Sequence, residues 1–203
     1  MRPLILITFL IGCLKNVRGQ KVENQVELPR LKGNFNCIYK PKYSPAQRKK
    51  FYPFKIAATI KLVSFRYHND NSPFKNDTLL TDSLVEVKSL TKTEVDGLTD
   101  ILYNNFYKTQ PNYGSLTQCF YPRNAILFLD RSGHLKEYVL ICFHCDRHEE
   151  SSDKIYFGND CTQKMEKLRL FFVSAGIKFG TDRSIDLYPG EKTEADIILP
   201  IQK

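Results

Sequence analysis

NAILFLDRSGHLKEYVLICF, Asn124 to Phe143, is the stretch that decides the fold of this chain. Two apolar runs, NAILFLD and LKEYVLICF, flank the short polar link RSGH, whose glycine suits a tight turn. Apolar runs joined by so short a connection read as a β-hairpin. The first run is apolar on both faces of a pleated strand, which places it in the middle of a sheet.

Helices bracket this hairpin. Upstream, Leu90-Thr91-Lys92-Thr93-Glu94-Val95 spells a helix start. Thr91 can accept from the free backbone N–H groups, Glu94 can reach back, and Leu90 and Val95 sit where a hydrophobic staple closes. Val95, Leu98, Leu102 and Phe106 continue at helical spacing, so a helix is expected from Lys92 to Tyr107. Downstream, DCTQKMEKLRLFFVSAG sets Asp160 as cap, with Gln163 three residues on and Gly176 as terminator. Met165, Leu168 and Phe172 share one face, and Cys161, four residues before Met165, is expected to meet the sheet with them. Further upstream, KIAATIKLVSFRYH (Lys55–His68) is rich in β-branched and aromatic residues, and SLVEVKSL offers a short strand. The order β, β, α, β, β, α implies an α+β fold: a two-layer sandwich, a small mainly antiparallel sheet with two helices on one face. The single domain is read as 56–180. A tail over 181–203 follows, in which only ADIILPI has strand character.

The first residues read as a targeting segment. Arg2 precedes a nearly continuous apolar run from Leu4 to Leu14, too short to span a bilayer. Two processing routes are open. Cleavage after VRG removes 1–19 as a signal peptide, whereas LIGC resembles a lipobox that would remove 1–12 and lipidate Cys13. Either places the mature chain outside the cytosol, secreted, periplasmic or anchored to the envelope, with membrane contact only through that lipid. Disulfides are permitted there. The five cysteines beyond Cys13 are odd in number, so one is left over or pairs between chains.

The net charge of +8 is unevenly spread. Between Arg30 and Lys55 there are eight basic residues and no acidic one, while from Ile56 onward 18 basic residues face 20 acidic. Residues 20–55, with their prolines and aromatics, therefore read as a basic linker. Its 30–55 portion can meet an anionic surface, although a solvated linker is the simpler reading. Nucleic acid is disfavoured for an exported chain without a recognition motif. No Gly-rich phosphate loop, H-E-x-x-H or G-x-S-x-G occurs, which argues against the commonest enzyme classes. No cofactor is implied.

The stretch CFYPRNAILFLDRSGHLKEYVLICFHC (Cys119–Cys145), followed by DCTQKMEKLRLFFVSAGIKFG, resembles an uncharacterised family of small exported or lipid-anchored proteins of Bacteroidetes. LVEVKSLTKTEVDGLTDILYN also fits, so the likeness covers about Leu84 to Gly180. It implies an envelope location and no activity, and it leaves Cys37 without a role.

Three readings compete for the cysteines. A zinc site would take Cys142, Cys145, His148 and Cys161, with His144 as substitute, but the second pair of ligands is scattered. A redox pair at Cys142 and Cys145 lacks the helix N-terminus that activates such thiols. A structural reading bridges Cys119, Cys142, Cys145 and Cys161 in a pattern left open. A strand extended through Cys145 would point residues three apart to opposite faces, sending the two sulfurs to different partners. The expectation is therefore a non-enzymatic exported envelope protein with a binding or structural role. The alternative is thiol–disulfide or zinc chemistry at Cys142 and Cys145.

Overall fold

The computed structural model describes residues 34–66, 74–75, 78–79, 83–109 and 119–183. The chain divides between Leu31 and Lys32, and every described residue lies in the second unit. Cys13, the targeting segment and the ADIILPI stretch lie outside the described residues.

In chain order the elements are β1 (Asn34–Tyr39), the single turn α1 (Pro45–Arg48), β2 (Thr59–Phe65), β3 (Phe74–Lys75), β4 (Thr78–Leu79) and β5 (Leu84–Ser89). Then come α2 (Lys92–Tyr103), β6 (Asn105–Thr109), β7 (Asn124–Leu129), β8 (Leu135–Cys142), β9 (Arg147–Glu150) and α3 (Thr162–Ser174). The fold is α+β, with an antiparallel five-stranded sheet in the order β5-β2-β7-β8-β9. The expected hairpin is β7–β8, and β7 is the central strand. Asp130 closes its turn by accepting the backbone N–H groups of Ser132 and His134, at 2.9 and 3.0 Å.

Strand alternation splits the core in two. Ile60, Leu62, Ile126, Phe128, Val139 and Ile141 point to one face, where Leu98 and Leu102 of α2 and Leu168 and Phe172 of α3 cover them. Val63, Phe65, Ala125, Leu127 and Leu140 form a second buried cluster on the other face. The capping box at Thr91 and Glu94 is present, with Glu94 Oε2 accepting from the Thr91 amide at 2.6 Å. Helix α3 ends as read: the N–H groups of Gly176 and Ile177 return to Val173 and Phe172, with Gly176 at φ +95°. Its N-cap is Cys161, one residue beyond the expected Asp160.

Two expectations need correction. The first helix stops at Tyr103, because Asn104 donates to the Asp100 carboxylate and Asn105 to the Ile101 carbonyl, so side chains cap the last turn. Phe106 consequently lies in β6, opposite Ile38 of β1. The second correction concerns the basic segment. Residues 34–55 are not a linker but part of the domain. Strand β1 forms a two-stranded ribbon with β6, and Phe54 enters the main core. Arg48, one of the eight basic residues, is 4% exposed. It reaches Asp96 at 2.8 Å and Asp100 at 3.1 Å, and its Nε donates to Thr99.

Candidate functional site: a three-sulfur centre

Strand β8 ends at Cys142, and residues 143–146 turn before β9 begins at Arg147. Asp146 takes a left-handed backbone, φ +50°, which lets four residues reverse the chain. The strand does not stay extended through Cys145, as the sequence reading supposed. The turn instead folds Cys145 back toward Cys142, whose Sγ accepts the Cys145 backbone N–H at 3.2 Å.

Cys145 is disulfide-bonded to Cys119, in the segment leading into β7. Cys142, expected in a bridge, is a free and buried thiol. The sulfurs of Cys119, Cys142 and Cys145 all lie within 4.8 Å of one another. Burial pushes the Cys142 thiol above its ordinary pKa. The backbone amides of Tyr121, Cys145 and His144 and the charge of Arg123 act against that rise. Cys119 and Cys145 are half-buried, so the bridge lies nearer the solvent than the thiol behind it.

The turn is braced from both sides. Arg147 donates to the Cys119 carbonyl at 3.5 Å, and its guanidinium lies 5.1 Å from the Phe120 ring centre. On the other side Arg183 pairs with Asp146 at 2.7 Å and with Glu166 of α3 at 3.3 Å, and His144 Nδ1 lies 2.9 Å from the Arg183 carbonyl. Burial pushes the Asp146 carboxyl upward despite Arg183.

Cys161 takes no part in this cluster. It is bonded to Cys37 of β1, the cysteine left without a role in the sequence reading. It meets the β1–β6 ribbon, where Gln163 also accepts the Cys37 amide at 2.6 Å. The zinc set read from sequence is thereby dismantled. Cys145 and Cys161 belong to different bridges, and His148 lies between Glu150, at 3.1 Å, and Asp160, at 3.7 Å. The sequence offers both Cys119 and Cys161 as partners for Cys142 and Cys145 and leaves the pairing open; the structure joins Cys119 to Cys145 and sends Cys161 to Cys37.

Two further groups escaped the sequence reading. Lys164 is fully buried on α3, donating to the carbonyls of Phe157 and Asn159, and burial pushes its pKa down to about 8. Glu137 is buried where it accepts hydroxyl hydrogen bonds from Tyr52, Ser151 and Ser152. Burial raises its carboxyl, but those bonds outweigh the rise and hold it below the usual range. The same pairing pushes Tyr52 up to about 12. Both groups spend their hydrogen bonds on the protein itself, which makes them structural. Among the described residues no helix is long and apolar enough to cross a membrane. Comparison with known protein families, with curated proteins and with solved structures finds no match for this chain.

Proposed function

We propose that this chain is an exported envelope protein whose chemistry is thiol–disulfide exchange at Cys119, Cys142 and Cys145. The observation that carries the reading is a free thiol within 4.8 Å of both sulfurs of a half-buried bridge. Two disulfides and the resemblance to exported Bacteroidetes proteins support an oxidising location.

Exposure makes the half-buried bridge the point of attack and the buried Cys142 the thiol behind it, and the turn that seats Cys145 against Cys142 makes Cys145 the sulfur attacked. An outside thiolate attacks Cys145, the Cys119–Cys145 bond breaks, and Cys119 leaves with the electron pair and takes up a proton. The mixed disulfide on Cys145 then faces Cys142, which gives its proton to the departing outside thiolate as its sulfur displaces that thiol and closes a Cys142–Cys145 bond. Cys142 is thus the resolving thiol, and its raised pKa keeps it protonated and quiet until a mixed disulfide forms beside it.

Glutathione is the test. In Cys142→Ser, a mixed disulfide with glutathione should accumulate on Cys145 or Cys119, while the native chain clears it within the same incubation. A bridge whose potential lies below about −300 mV, as for structural disulfides, would refute the reading. One observation favours a second reading, a non-enzymatic binding or structural role: Cys142 is only 1% exposed. In that case the Cys142→Ser chain and the native chain would take up and lose glutathione alike.

A further inference from the structure

We propose that, once the Cys119–Cys145 bridge is reduced, Cys119, Cys142 and Cys145 together bind one zinc ion or a similar thiophilic d¹⁰ cation. The inference rests on reading the three sulfurs as one centre, and it gives that centre a ligand.

Spacing supplies the first argument. Tetrahedral zinc with bonds of about 2.3 Å to sulfur needs ligands about 3.8 Å apart. The three sulfurs already lie within 4.8 Å, and breaking one bond frees the two bridged ones to separate to that distance.

The turn supplies the second. Cys142-Phe143-His144-Cys145 wraps so that the Cys145 amide donates to Cys142 Sγ at 3.2 Å, which sets the two sulfurs of a C-x₂-C pair on the same side of the turn. A loop that turns its own amide onto its first sulfur, with the second sulfur beside it, has the form in which a C-x₂-C pair offers two ligands to one ion. The Arg123 charge nearby offsets the net charge of −1 that three thiolates and one divalent cation would leave.

Contacts around the centre hold it together. Arg147 holds the Cys119 segment, and Arg183 holds Asp146 at the end of the turn. Neither brace passes through the bridge, so the three sulfurs stay gathered when it opens. Three protein ligands leave the fourth tetrahedral position to water or to an outside thiol.

The electrons balance with a dithiol as reductant. It gives two electrons and two protons to Cys119 and Cys145 and becomes a cyclic disulfide. The ion then displaces three protons from three thiols.

The test uses the full chain treated with limited dithiothreitol, with peptide mapping to find chains that retain Cys37–Cys161. Zinc is added and then counted after desalting, and cobalt is substituted to read thiolate charge-transfer and tetrahedral d–d bands. One ion per reduced chain, none per oxidised chain, and binding weakened at least about 100-fold in Cys142→Ser are expected. Cys145→Ser, in the half-buried turn, serves as a second variant and should lose the cobalt bands while keeping the far-UV spectrum of the native chain. Failure of the reduced chain to bind zinc overturns the proposal. So does binding that survives Cys142→Ser but is lost in Cys37→Ser/Cys161→Ser. The glutathione experiment contains no metal, so its success or failure is read separately: trapping without zinc binding would leave exchange standing and remove the metal site.

Discussion

The two bridges should differ measurably in how much they stabilise the domain, and the order is opposite to what their places in the structure suggest. Cys119–Cys145 sits beside the free Cys142 thiol but closes a separation of only 26 residues, whereas Cys37–Cys161 closes 124. If a bridge acts by restricting the unfolded chain, loop-closure entropy assigns the long one about 4.9 kcal/mol and the short one about 3.6 kcal/mol at 25 °C. The short loop is nested inside the long one. With both closed, the long loop is shortened to roughly 100 residues, which lowers its share only to about 4.7 kcal/mol. Cys37→Ser/Cys161→Ser should therefore cost about 1 kcal/mol more than Cys119→Ser/Cys145→Ser. Urea unfolding of both double variants, each in a Cys142→Ser background so that no free thiol can reshuffle the remaining bridge, measures the difference. Each m-value should rise as its unfolded chain expands. Two results would refute the reasoning: a larger cost for the short bridge, or a cost below about 1 kcal/mol for the long one. The second would mean that Cys37 and Cys161 are not joined in the folded protein.

Lys164 predicts a pH dependence. Its folded pKa is about 8 against an ordinary 10.5, so between those values the unfolded chain binds the extra proton and stability rises with pH. The slope should be about 1.4 kcal/mol per pH unit, flattening below pH 8, and Lys164→Met in a Cys142→Ser background should abolish it in paired urea titrations. Arg48→Met leaves Asp96 and Asp100 facing each other without their cation. Because both carboxylates are about a third exposed, the cost should fall near the low end of about 3–5 kcal/mol, read from the unfolding midpoint. Gly158 and Gly176 both have left-handed backbones, but a Cβ at Gly158 would stand 2.1 Å from the Leu102 carbonyl oxygen and one at Gly176 meets nothing within 4 Å. Gly176→Ala should cost about 1–2 kcal/mol from backbone strain alone, and Gly158→Ala clearly more in the same thermal melts.

What could be read from the sequence was local. The Thr91–Glu94 capping box, the β7–β8 hairpin with its doubly apolar first strand, and the Gly176 terminator each sit within a few residues. There, side-chain chemistry sets the backbone angles directly. The end of α2 was within the same reach, but the apolar spacing of Phe106 masked what Asn104 and Asn105 do as caps. Ser44 and Gln47 spell a second capping box in a segment whose basic, Pro-rich composition suggested a linker. Composition averages over a face and cannot show that Arg48 is turned inward onto two carboxylates of α2.

The cysteines mark the boundary most sharply. Their number and the closeness of Cys142 to Cys145 belong to the sequence. Tertiary structure alone decided that Cys37 reaches Cys161 across 124 residues, that Cys119 joins Cys145, and that Cys142 stays a thiol between them. Chain separation places no limit on which surfaces meet once the core has closed. The state of each sulfur is set by what packing brings within bonding distance, and here a four-residue turn folded Cys145 back beside Cys142, a closeness that strand alternation would have denied, while its bond went to Cys119.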